Sequence, residues 1–186
     1  MSIRAFISVD VEPSEKMMAF HSDLMGANAQ VKLVNLEIIH LTLKFLGNTS
    51  EDILPEIMDL MDTSVDGMEP FQIEFRGTGA FPNLNRMKVV WIGVKRIGEM
   101  KSIAEYLDDG LSNMGFKKEK RKFSPHLTVG RVKGGRNKHL LAEIISRWKD
   151  EDFGTMDVNN IRLKKSILGP QGPTYSTLHE SRIGKG

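Results

Sequence analysis

The run His-Leu-Thr followed by an aliphatic residue occurs twice in this chain, as His40-Leu41-Thr42-Leu43 and as His126-Leu127-Thr128-Val129. Neighbouring side chains of an extended strand face opposite sides. His40 and Thr42 therefore share one face and Leu41 and Leu43 the other, and His126 and Thr128 are divided in the same way from Leu127 and Val129. The apolar face has to be buried, which leaves an imidazole beside a hydroxyl on the opposite face. Two such strands turned toward one cleft give a symmetric site with two proton-transfer groups and two hydrogen-bond donors.

The rest of the chain is built to bury both apolar faces. With 186 residues, 40% hydrophobic and 27% charged, it suits one domain made of two small, closely packed lobes. No apolar run approaches the roughly 18 residues of a membrane span, and from Ser2 the chain reads straight into an alternating strand without the apolar region and cleavage site of a secretory signal. A cytoplasmic location and no membrane partner are expected. Zero cysteines exclude disulfides, thiolate nucleophiles and Cys-ligated zinc. A net charge of +2 hides an uneven distribution. Lys117, Lys118, Lys120, Arg121 and Lys122 crowd the approach to His126, while Arg131, Lys133, Arg136 and Lys138 follow it, a pattern that attracts phosphates as readily as it solvates a loop.

Hydrophobic periodicity divides the chain into alternating strands and helices. A strand over 3–11 leads to a helix that Ser14 can cap, carrying Met17, Phe20, His21, Leu24 and Met25. After an extended stretch near 31–34 comes the His40 strand, then a helix over about 50–65 whose start Pro55 shifts. Phe71, Ile73 and Phe75 alternate as a strand, a Gly-Pro-Asn-rich turn over 77–85 follows, and residues 88–94 form another strand. Met100, Ile103, Ala104, Leu107, Leu111 and Met114 mark a helix before the His126 strand. Leu140, Leu141, Ile144, Ile145 and Trp148 mark the last helix, followed by strands near 154–159 and 161–168 and one after Pro173. The fold class is α+β: two pseudo-symmetric lobes, each a mainly antiparallel sheet backed by helices, around a central groove. No low-complexity linker separates the lobes, which are expected to interleave in sequence.

Imidazoles titrate near 6.5, so of two at neutral pH one can take a proton while the other gives one. In-line displacement at phosphorus needs that pairing, with base and acid on opposite sides of the reacting atom. Thr42 and Thr128 can donate to the non-bridging oxygens as charge builds on them. Acid and base catalysis contribute about 10²–10⁴ each, enough for a strained 2′,3′-cyclic phosphate. Symmetry leaves open which histidine is acid and which base. A metal-dependent hydrolase is disfavoured, since no HExxH, cysteine cluster or His/carboxylate spacing is present. A nucleotide or RNA-binding module that lacks turnover is the alternative reading.

The pair HLTLKFLG and SPHLTVGRVK resembles the two signature motifs of the 2H phosphoesterase superfamily, and especially its RNA 2′,3′-cyclic phosphodiesterases, also called 2′-5′ RNA ligases. RAFISVDV, GTGAFPNLNRMKVVWIGV and ILGPQGPTYSTLHE extend the resemblance over nearly the whole chain. It implies a two-lobed α+β fold and metal-free, cofactor-free hydrolysis of a terminal 2′,3′-cyclic phosphate to a 2′-phosphate. The implied partner is RNA with a cyclic phosphate end, tRNA fragments included, acted on by a monomer. The same groups joining an RNA 5′-hydroxyl would form a 2′-5′ linkage without ATP. By resemblance His40 is the proton donor, His126 the acceptor, and Thr42 and Thr128 the phosphate-binding hydroxyls.

Four further positions are candidate RNA contacts. Lys44 shares the His40–Thr42 face if the strand stays regular. Arg131 has the opposite parity from His126, and a bulge at Gly130 would turn it into the groove. Phe6 can stack on a base and Tyr175 can bind phosphate or ribose, with simple packing as the competing role for each. His21, His139 and His179 read as structural or surface residues.

Overall fold

The computed structural model describes residues 1–184. In chain order the elements are β1 (Ser2–Asp10), α1 (Glu15–Gly26), β2 (Val31–Leu33), β3 (His40–Ser50), α2 (Leu54–Val65), β4 (Phe71–Phe81), β5 (Val89–Lys95), α3 (Gly98–Asn113), β6 (His126–Val132), α4 (Lys138–Arg147), β7 (Asp152–Val158), β8 (Asn160–Gly169) and β9 (Gly172–Arg182). They form two sheets, ordered β3-β1-β8-β9 and β2-β6-β5-β4-β7, and every ladder is antiparallel. Leaving out β2, the two orders correspond strand for strand. The histidine strands β3 and β6 occupy equivalent places, and the two strands touch.

The helices obey their apolar stripes. Ser14 caps α1, its hydroxyl accepting from the Met17 amide at 3.2 Å, and Met17, Phe20 and Leu24 are buried one turn apart. Pro55 sits in the first turn of α2, where its missing N–H costs nothing. α2 and α3 pack together against β9 and β3, while α4 lies on β4 and touches α1. Under the second sheet Phe20, Trp148 and Phe153 form an aromatic cluster with ring centres 5.6–5.9 Å apart, and the Trp148 indole N–H donates to Asp23 at 2.9 Å.

The expected turn over 77–85 is shorter than its composition suggests, because β4 runs on to Phe81. Its glycines serve contact rather than reversal. A Cβ at Gly77 would lie 2.6 Å from the Lys149 carbonyl oxygen, and one at Gly79 would lie 2.3 Å from the Trp91 ring. The indole of Trp91 thus lies across the neighbouring strand. No helix among the described residues is long and apolar enough to cross a membrane.

Candidate functional site

β1 and β5 serve as rulers for the two histidine strands. Along β1, Asp10, Ser8 and Phe6 alternate onto one face, and their partners across the ladder are His40, Thr42 and Phe45. Cross-strand partners project on the same side, so these three residues of β3 share a face. Leu43 has no partner. Along β5, Gly93, Trp91 and Val89 alternate opposite His126, Thr128 and Arg131, and here Val129 is the unpaired residue. Each strand therefore carries a bulge three residues after its histidine, which brings the residue five after the histidine back to the histidine's own face. On the opposite face Leu41, Leu43, Leu127 and Val129 are buried, as the alternation requires.

These bulges fix the faces of two of the four further positions. Lys44 does not share the His40–Thr42 face. The bulge at Leu43 turns it to the back of the sheet, where it is buried; its ammonium donates to Asp108 on α3 at 2.6 Å and to the Lys117 carbonyl at 2.8 Å. Asp108 in turn accepts the Glu119 amide at 3.1 Å. Burial pushes the Asp108 carboxyl up, but the hydrogen bonds from Lys44 and Glu119 and the nearby lysine charges together hold it below its usual range. Arg131 is brought onto the His126 face, by the unpaired Val129 rather than by Gly130. Its charge acts on both His126 and Tyr175, which belongs to β9 of the other sheet.

Phe6 cannot offer a ring face to a base, because it is only 4% exposed. It packs at 4.9 Å from the His40 ring, 5.0 Å from Tyr175 and 6.3 Å from Phe45. Packing outweighs stacking at this position, since His40, Phe45 and Tyr175 surround the ring. Tyr175 is half-buried and stands edge-on to His40 at 5.3 Å. The second histidine has its own ring neighbour, Phe81, edge-on at 4.9 Å.

The two imidazoles are held alike. Nδ1 of His40 donates to the Ile38 carbonyl at 3.0 Å, and Nδ1 of His126 faces the Ser124 carbonyl at 3.5 Å. A carbonyl only accepts, so Nδ1 carries the hydrogen and Nε2 is the nitrogen left for proton transfer in both rings. Burial lowers both pKa values below 6.5. At His40 the bond to Ile38 opposes this, Lys164 adds to it and Asp10 opposes it; at His126 the bond to Ser124 opposes it and Arg131 adds to it.

Sheet order exposes site neighbours that single-strand parity missed. Arg162 and Lys164 of β8 lie opposite Ser8 and Phe6, and both cations hold the Asp10 carboxylate. Arg162 also bonds Glu180 at 3.1 Å, and the Lys164 ammonium lies 6.0 Å from the centre of the Tyr175 ring. The alternation of β1 already placed Asp10 on the site face, but its two cations come from a strand about 150 residues away. Among the described residues, the buried polar side-chain atoms without a protein partner are Ser8 Oγ and Trp91 Nε1. These belong to the cross-strand partners of Thr42 and Thr128. The remaining histidines stand apart: His21 donates to the Val34 carbonyl at 2.9 Å, His179 contacts Asp62 at 2.9 Å, and His139 is exposed.

Two matched sheets, each contributing a His-x-Thr strand to a shared centre, define a two-lobed protein of the two-histidine class. Residues 29–166 match the model of the 2′-5′ RNA ligase superfamily. The chain belongs to that family. It is 40% identical to the RNA 2′,3′-cyclic phosphodiesterase of Methanothermobacter thermautotrophicus over 98% of this chain and 100% of that one. It is 42% identical to the protein of the same name from Archaeoglobus fulgidus, over 95% and 98%. Among solved structures it resembles a Thermus thermophilus protein, with a TM-score of 0.78, 27% identity and 97% of each chain covered. The fold is also that of E. coli LigT in its complex with 3′-AMP, with a TM-score of 0.72, 18% identity and 100% of each chain covered.

Proposed function

We propose that this protein is an RNA 2′,3′-cyclic phosphodiesterase that opens the terminal ring to a 2′-phosphate by paired histidine catalysis, without a metal or other cofactor. The observation that carries this reading is the matched pair of imidazoles, each with Nδ1 turned to the carbonyl two residues before it, which assigns proton transfer to Nε2. His126 Nε2 takes a proton from the attacking water as its oxygen bonds to phosphorus. His40 Nε2–H delivers a proton to the 3′ oxygen as the P–O3′ bond breaks. Thr42 and Thr128 donate to the non-bridging oxygens, and Arg131 offsets their growing charge. The division of roles follows the family resemblance, because nearby charge acts the same way on both rings: Lys164 outweighs Asp10 at His40, and Arg131 opposes a proton on His126. With an RNA 5′-hydroxyl in place of water the same groups form a 2′-5′ linkage without ATP, and cleavage of that linkage runs with the roles exchanged.

A nucleoside 2′,3′-cyclic phosphate incubated with the protein in excess EDTA should give the nucleoside 2′-phosphate, identified by phosphorus NMR. His40→Ala and His126→Ala should each lower turnover by about 10²–10⁴-fold. Exclusive 3′-phosphate product, dependence on a metal, or full activity in both variants contradicts the reading. A protein that binds RNA ends without turning them over is the competing outcome of the same experiment.

A further inference from the structure

Phe45 and Arg131 occupy equivalent places in the two lobes. Each lies five residues after its histidine, beyond a bulge at the third, and each is returned to the histidine's face. Arg131 fits the site as a cation beside His126, but its counterpart is an aromatic ring with no charge to offer a phosphate. Phe45 is 66% exposed, on a strand at the edge of its sheet. Its cross-strand neighbour Phe6 lies between it and His40, with ring centres 6.3 and 4.9 Å apart, so Phe45 is within about 11 Å of the imidazole. We propose that Phe45 is the stacking platform for the base of the nucleotide one step 5′ of the cyclic phosphate, so that the protein reads two nucleotides of an RNA end.

The ring is one aromatic layer further out than the groups around His40, at a distance that a single nucleotide spans. A bare aromatic face binds any base by stacking, without reading its edge. The subsite therefore distinguishes an RNA end from a mononucleotide while leaving the penultimate base unspecified. Lys164, on the other side of Phe6, is engaged with Asp10, and Phe6 itself is covered, which leaves Phe45 as the open ring of this cluster.

This inference rests on the reading of the groove as a cyclic-phosphate site. The test compares kcat/KM for two dinucleotides ending in the same 2′,3′-cyclic phosphate, one with a base on its 5′ residue and one abasic there. Both carry the same phosphates, so their ratio isolates the base. In the unaltered protein the ratio should be about 5- to 150-fold; Phe45→Ala should bring it near one, and Phe45→Trp should keep it. A ratio near one in the unaltered protein, or one that survives Phe45→Ala, overturns the proposal. Failure to hydrolyse any cyclic phosphate would instead overturn the function on which it rests.

Discussion

His40 and His126 are anchored alike and shifted in the same direction. Burial depresses both, so both should titrate below 6.5 in the free protein, which NMR of the imidazole protons measures directly. The sign for stability follows. The unfolded chain takes up these protons at a higher pH than the folded one, so the penalty is absent above 6.5, grows as pH falls through the folded values, and is constant below them. For catalysis, the base must be neutral and the acid charged. The kcat/KM profile should then be a bell centred below 6.5. A bound phosphate favours a protonated His40, so the alkaline limb of the kcat profile should lie above that of kcat/KM. A histidine midpoint above 6.5 in the free protein, or coincident alkaline limbs, would contradict this account of the site.

At the level of elements, the histidine strands were legible for four residues and then ceased to be. Alternation places His40, Thr42, His126 and Thr128 correctly because the ladder is regular there. One unpaired residue in each strand then inverts the parity, and a bulge leaves no mark in hydrophobic pattern when the extra residue, Leu43 or Val129, is itself apolar. For that reason Lys44 reads as a groove residue and Arg131 as a back-face one, the reverse of what the fold contains. The turn expected over 77–85 begins only after Phe81 for a related cause, since a glycine that makes room for Trp91 looks in sequence like one that reverses the chain. The corrected place of Lys44 makes its own prediction. Its ammonium joins the His40 strand to α3 and to the loop leading toward His126. Lys44→Ala leaves Asp108 without its main counter-charge and should cost about 3–5 kcal/mol of unfolding free energy, while Lys44→Met with Asp108→Leu should recover most of it. A neutral single variant in denaturant titration would show that this link does not hold the back of the site.

Over the whole molecule, two lobes with helix-backed antiparallel sheets could be read from periodicity, but not which helix backs which sheet. α1 follows a strand of the first sheet yet packs on α4 of the other lobe, and α3 follows β5 of the second sheet yet packs on β3. An apolar stripe states that a face is buried and does not name its partner. The helices are thus shared between the two sheets, and the histidine strands touch with different neighbours, Asp10 and Lys164 near one imidazole and Arg131 near the other. We propose that the two imidazoles divide the labour, with His40 giving the proton and His126 taking it. A cyclic substrate with sulfur in place of the bridging 3′ oxygen tests it most directly, because a thiolate leaves without protonation. On that substrate His40→Ala should regain most of its lost kcat/KM while His126→Ala stays impaired; rescue of His126→Ala instead, or of neither variant, would contradict the assignment.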